Sequence, residues 1–199
     1  MENEGRARRR GRGRVTLGEQ FSTVLEAAKT GSDWAWELLY DECAPMVLGY
    51  VRGRGAAEPE DLVAESFLHA VRAISSFSGD ERAFRAWLLG IAHRRLVDEW
   101  RYRSRRPLSP ATDETLEAAS GGGDVEEEAL ARTEGQQVLA CIRGLTPDQQ
   151  DVILLRLVAD LSLDDVARIL GKRISAVKAL QRRGLARLHR ELFRLGVSR

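Results

Sequence analysis

Seven cations crowd one short stretch: Lys172, Arg173, Lys178, Arg182, Arg183, Arg187 and Arg190, with no Asp or Glu from 171 to 190. The stretch has a helical period. With Val177 set at zero on a wheel, Leu180, Gly184 and Leu188 fall within about 60° of it, and Leu185 lies at the margin. Those residues form a packing stripe. Ser175, Ala179, Arg182 and Ala186 point the opposite way, flanked by Lys178 and Arg183. Such a face can perform one kind of chemistry: small residues let the backbone approach a groove, and Arg reaches phosphates or base edges. Ordinary solvated basic faces intermix Glu with Lys at four-residue spacing. The absence of any acid here points to a polyanion, and the preceding pattern points to DNA.

A second stretch with binding chemistry is DERAFRAWLLGIAHRRLVDEWRYRSRR, residues 80–106. Phe84, Trp87, Leu88 and Ile91 make an apolar stripe that reads as core. Its C-terminal half turns basic while keeping Trp100 and Tyr102, whose roles the residues alone leave open. Arg interleaved with aromatic rings suits single-stranded or melted DNA, because bases stack on rings while Arg holds phosphates.

Covalent chemistry finds no such support. His69, His93 and His189 are scattered, with no HxxxH or HExxH spacing. The carboxylate pair Asp164-Asp165 stands at the start of a capped helix, where acids favour the helix dipole. Nuclease or recombinase activity would need clustered carboxylates for metal, or a nucleophile beside a base. The expectation is a protein that is not an enzyme, with no metal and no cofactor.

The elements that must position these residues are all helical. Apolar periodicity marks helices over about Leu17–Lys29, ending near Gly31; Ser32 or Asp33 to about Arg52, with Pro45 expected to bend or split it; Pro59 to about Ile74; and from beyond SSFSGD to about Arg105. In the second half, Thr146, Pro147 and Gln149 supply a cap, a first-turn Pro and a capping-box residue. Ser162 caps the next helix and Gly171 stops it. A short helix, a tight Gly turn and the basic helix form a helix-turn-helix pattern. No alternating pattern predicts a strand.

Charge segregation sets the domain plan. The net charge is +1, yet residues 82–106 hold eight Arg against two acids, residues 172–190 carry +7, and residues 111–134 hold eight acids against one Arg. Of 31 basic residues 28 are Arg, which favours planar contacts to phosphate and guanine. The expected plan is a disordered basic tail (1–15), a helical module (16–106), a flexible acidic linker (107–130) and a second helical module (131–195). The linker, with Pro107, Pro110 and Gly121–Gly123, joins the modules flexibly, so a partner must space them before both can engage DNA. Hydrophobic residues make up 43% of the chain, enough for packed cores. Two cysteines, Cys43 and Cys141, fit a reducing compartment. No apolar run approaches the ~20 residues that span a bilayer, and the Arg-rich start lacks the apolar segment of a secretory signal. A cytoplasmic protein without membrane contact is expected.

The chain resembles the extracytoplasmic-function (ECF) group of bacterial RNA polymerase sigma factors. EDLVAESFLHAVRAISSF, residues 60–77, is similar to region 2.2, which docks on the polymerase. FRAWLLGIAHRRLVDEWRYR, residues 84–103, is similar to regions 2.3–2.4, which open and read the −10 element. Residues 145–188 are similar to region 4, which reads the −35 element. All three occur in family order. The resemblance implies an all-α protein with a region 2 bundle and a region 4 helix-turn-helix, and as partners core RNA polymerase (β′ clamp helices and β flap) and promoter DNA. An anti-sigma factor is a further candidate partner, since many members are held by one.

Carried onto this sequence, the resemblance implies polymerase contact for Asp61, Glu65 and Phe67. It implies −10 contact for Ser76, Phe77 and Ser78 in the loop that captures a flipped base, and for Arg94, Arg95, Asp98 and Arg101, with Asp98 able simply to orient neighbouring Arg. The −35 set is Lys172, Arg173, Ser175, Ala176, Lys178, Ala179, Arg182 and Arg183. Two departures stand out: Arg94 where members often have Asn, and Arg173-Ile174 where Ser-Glu is common. Base preferences therefore do not transfer. The competing reading is a stand-alone helix-turn-helix regulator, which accounts for residues 131–195 but leaves the Arg/aromatic helix unexplained.

Overall fold

A computed structural model describes residues 17–105 and 135–195. The basic tail and the acidic linker expected from sequence lie outside those residues. Every regular element among them is helical: α1 Phe21–Lys29, α2 Asp33–Gly53, α3 Pro59–Ala73, α4 Glu81–Arg105, α5 over 135–143, α6 Pro147–Leu157, α7 Leu163–Leu170 and α8 Ile174–Arg194, with 3₁₀ turns at Gly18–Gln20 and Ile74–Ser76. No helix among the described residues is long and apolar enough to cross a membrane.

Local chemistry explains the boundaries. Gly31 at φ 82° ends α1, with Gly31 N–H on the Ala28 carbonyl and Ser32 N–H on the Ala27 carbonyl. This paired closure satisfies the last carbonyls and needs a left-handed residue. Pro59 opens α3 at a position whose N–H has no helical partner anyway. Thr146 and Gln149 form the expected capping box of α6. The Ser162 hydroxyl accepts from Asp165 N–H, and Gly171 at φ 62° ends α7.

Pro45 neither splits nor ends its helix: α2 runs unbroken from Asp33 to Gly53. The missing N–H frees the Asp41 carbonyl, but Asp41 and Pro45 both lie on the exposed face. The lost bond falls on the solvent side, and burial of Leu39, Val47, Tyr50 and Val51 on the opposite face holds the helix together.

In the first module Leu39, Val47, Leu62, Phe84, Leu88, Leu89 and Leu96 pack into one core. In the second, Ile142, Leu145, Val152, Ile153, Leu161, Val166, Val177 and Leu188 extend the same contiguous core. The α8 packing stripe is the one expected: Val177, Gly184 and Leu188 are buried. A Cβ at Gly184 would lie 3.0 Å from Ile153 Cγ1, so α8 rides close over α6.

The two modules are in contact in the described residues. They touch along two seams. On the first, α2 meets α6, and Gly53 lies against Leu154. On the second, α4 meets α7, with Gly90 against Ile169 and Arg82 Nε 3.8 Å from Asp165.

Candidate nucleic-acid interface

The exposed face of α8 is built by subtraction. The packing stripe turns Arg173, Ser175, Ala176, Lys178, Arg182 and Arg183 outward and leaves Ala179 half-buried. Lys172 is half-buried and held by Asp148 at 2.9 Å. The other five cations of the helix start and middle, from Arg173 to Arg187, have no ion pair among the described residues. Arg173 occupies the cap position with extended backbone and no side-chain cap. The first N–H groups of α8 therefore have no side-chain partner, and the positive end of the dipole adds to the cationic face.

The first module presents a different surface. Arg94 and Arg101 are exposed, and Asp98 lies 3.6 Å from Arg101, one turn earlier. Arg95 donates to Glu65 at 2.9 Å, a pair linking α4 to α3. With both partners partly exposed, such a pair contributes about 0.2–1 kcal/mol and exchanges readily for a stronger anion. Ser76 and Ser78 are exposed at the loop before α4, where the Asp80 carboxylate caps Ala83 N–H at 2.8 Å. Phe77 is buried: its ring lies 5.6 Å from Phe84 and 5.0 Å from Trp87. It anchors the loop from beneath instead of facing a base.

Phe67 is likewise buried, 4.7 Å from the Tyr40 ring. Asp61 and Glu65 are exposed on α3. What stands at the surface beside them is apolar and was not foreseen: Tyr40, Leu68 and Val71 are each 45% exposed or more. Leu68 and Val71 are three apart on the face of α3 that the core leaves free, a spacing readable in sequence but overshadowed by the stronger core stripe. A shallow cavity of about 320 Å³ between α2 and α3 is lined by Tyr40, Ala44, Pro45, Leu48 and Val63.

Trp100 is half-buried, with the Arg54 guanidinium 4.5 Å above its ring. Tyr102 is exposed. Arg54 also belongs to a buried polar network that sequence reasoning missed. Its Nε lies 2.6 Å from Asp151 Oδ1 and its Nη2 3.3 Å from Oδ2, and it donates to Gln150. Tyr50 Oη donates to the same carboxylate at 2.8 Å. Its one proton is thereby used, so the oxygen accepts from His93 Nδ1 at 2.8 Å, which fixes the His93 tautomer. Burial pushes the Tyr50 hydroxyl well above its ordinary value, and the Asp151 charge adds to this. Burial also holds His93 below its ordinary value, against the opposing pull of Asp151.

Two family models match this chain: Sigma-70 region 2 over residues 39–106, and Sigma-70 region 4 over residues 135–188. Over 170 residues the chain is 30% identical to the RNA polymerase sigma-H factor of Pseudomonas aeruginosa, covering 81% of this chain and 88% of that protein. The chain belongs to the ECF group of sigma-70 factors. It is also 36% identical over 171 residues to the ECF RNA polymerase sigma factor BldN of Streptomyces coelicolor, spanning 85% of this chain and 64% of BldN. The solved structure of CnrH, in complex with the cytosolic domain of CnrY, has the same fold: TM-score 0.62 at 22% identity, covering 87% of this chain and 97% of that one. Sigma factors are non-enzymatic initiation factors, so the α4 and α8 faces belong to one sigma architecture and not to an isolated regulator.

Proposed function

We propose that this ECF sigma factor works in the cytoplasm as the promoter-specificity subunit of RNA polymerase, each module contributing a separate binding surface. The first module, residues 16–106, docks on core enzyme through the α3 surface at Asp61 and Glu65, with Phe67 supporting that surface from below. The loop at Ser76 and Ser78, together with Arg94, Arg95 and Arg101, takes the −10 strand, with Asp98 orienting Arg101. The second module, residues 131–195, lays α8 in the −35 major groove. There Arg182 and Arg183 reach phosphate or base edges, while Ser175, Ala176 and Ala179 allow close approach. The acidic segment 107–130 lets the two modules separate.

The observation that carries this reading is the outward face of α8 up to Arg190, free of acids, standing off a helix-turn-helix on the same chain as the Arg-bearing α4. The test is transcription by core polymerase plus this protein on fragmented genomic DNA, with 5′ ends sequenced. Transcripts should start downstream of a shared pair of elements and vanish without the protein. Start sites unchanged by its addition would refute the reading, and tight sequence-specific duplex binding by the free protein would favour a stand-alone regulator.

A further inference from the structure

One charged stretch has no part in either surface above. Residues 6–14, RARRRGRGR, hold six Arg in nine positions and no acid. They include no aromatic ring for a base to stack on, and no apolar side chain larger than Ala for a protein partner to bury. Phosphate contacts need cations, whereas stacking platforms and protein interfaces need rings or apolar anchors. The composition therefore fits a phosphate backbone, as basic N-terminal arms do.

The stretch joins the fold beside the loop at Ser76 and Ser78. Gly18 N–H donates to the Glu81 carboxylate at 2.9 Å, at the start of α4. Phe21, the first residue of α1, has its ring 5.8 Å from Phe84, and Phe77 of the loop has its ring 5.6 Å from the same Phe84. Phe84 is fully buried, so one aromatic cluster anchors both the entry of the chain and the loop. Gly18, Glu19, Gly79 and Asp80 line one open cavity of about 720 Å³. Arg14 is four residues from Gly18, so it stands at most about 14 Å away. Nine residues cover about 30 Å when extended, the length of about nine base steps at 3.4 Å.

Acids of this chain compete poorly for the six cations. Asp80 accepts from Ala83 N–H at 2.8 Å, and Glu81 holds Gly18 and faces Arg85 Nε at 3.5 Å. Glu19 and Asp160, exposed on the rim of the same cavity, bring two charges against six. The acidic stretch 111–134 departs from the opposite end of α4, a helix of 25 residues and so about 37 Å long.

We propose that residues 6–14 form a phosphate-binding arm for promoter DNA, delivered beside the −10 loop by the cluster of Phe21, Phe77 and Phe84. The proposal rests on the sigma reading above and adds a third cationic surface to those of α4 and α8. Its contacts join those of α4 when polymerase brings the −10 region to the loop. The arm supplies affinity and leaves the choice of promoter to the other two surfaces.

The test uses the full chain with core polymerase and one promoter fragment. The variant Arg6→Gln/Arg8→Gln/Arg9→Gln/Arg10→Gln/Arg12→Gln/Arg14→Gln keeps polarity and removes charge. Binding should weaken at least about tenfold at 50 mM salt, and the slope of log affinity against log salt should fall by at least about two units. Six contacts at roughly 0.7 to 0.9 each set the upper limit at about 4 to 5. Start sites should stay where they are. A Gly11→Cys variant carrying an iron chelate, with Cys43 and Cys141 buried away from the label, should cut DNA around the −10 element. An unchanged slope, moved start sites, cutting centred on the −35 element or no cutting would each overturn the arm. Tighter binding by the sixfold variant would mean that acids of the chain had held the segment, and weaker association with core enzyme in the absence of DNA would place it on the polymerase. Either result overturns the arm as well. If the unaltered protein directs no promoter-dependent transcription, the sigma reading has failed and the arm falls with it. Retained transcription with an unchanged slope removes the arm alone.

Discussion

Arg182 stands on the exposed side of α8 with no ion pair among the described residues, so its removal should leave the fold unchanged. Arg182→Ala should weaken promoter binding by the polymerase complex and reduce the salt slope of log affinity by about 1. Filter binding over a salt series checks this, and an unchanged slope would put the recognition face elsewhere. His93 makes a pH prediction whose sign follows from its partners. Its folded value lies below the ordinary 6.5 because burial disfavours the cation. The unfolded chain therefore binds more protons as pH falls through that range. Stability due to neutral His93 is fully present above about 6.5 and declines as pH drops from there toward the folded value. Urea unfolding at pH 7.5 and 5.5 should show this loss, and His93→Gln should make the two midpoints more nearly equal. At this scale the sequence was readable for α8 because each outward residue follows from the position of Val177. It left the orientation of Phe67 and Phe77 open, since a motif match names an aromatic residue without saying which way its ring faces. Both rings found apolar neighbours, Tyr40 and Trp87, and went inward.

Helix ends were the most legible elements because capping is local. Ser162, Gly171, Thr146, Pro147 and Gln149 act within four residues of the groups they satisfy. Ser162→Ala should cost about 1 kcal/mol by leaving the Asp165 N–H without its acceptor. Gly171→Ala, at φ 62°, should cost about 1–2 kcal/mol from left-handed strain. Thermal unfolding of each variant would measure both, and equality with the unaltered protein would show that the turn between α7 and α8 tolerates loosening. Pro45 shows the limit of local rules. A Pro inside a helical pattern normally interrupts it, yet α2 continues because the burial of Leu39, Val47 and Val51 outweighs one lost bond on the wet side. Glycines were ambiguous in the same way. Gly171 announces a turn by its position after an apolar period. Gly49 and Gly53 sit inside one, and only the approach of Leu154 and Val158 gives them a purpose.

The docking of the modules could not be read from sequence, since Arg54 and Asp151 are separated by the acidic stretch and neither is marked out among so many charges. The placement of charge bears on how the whole molecule should meet DNA. In the free protein the α8 face supplies six exposed cations, Arg173, Lys178, Arg182, Arg183, Arg187 and Arg190. If all six neutralised phosphates, the slope of log affinity against log salt would reach about −5 at most, at roughly 0.9 per contact. The α4 cations Arg94 and Arg101 are exposed as well. In the polymerase complex the α4 cations should add contacts at roughly 0.7 each for a melted strand. Binding by the free protein should therefore be weak and shallow in salt. Binding attributable to this protein in the polymerase complex, after subtraction of core enzyme alone, should be steeper by at least one unit. Titrations of one promoter fragment from 50 to 200 mM salt separate the two cases. Equal slopes would mean that both cationic faces already reach the duplex in the free chain.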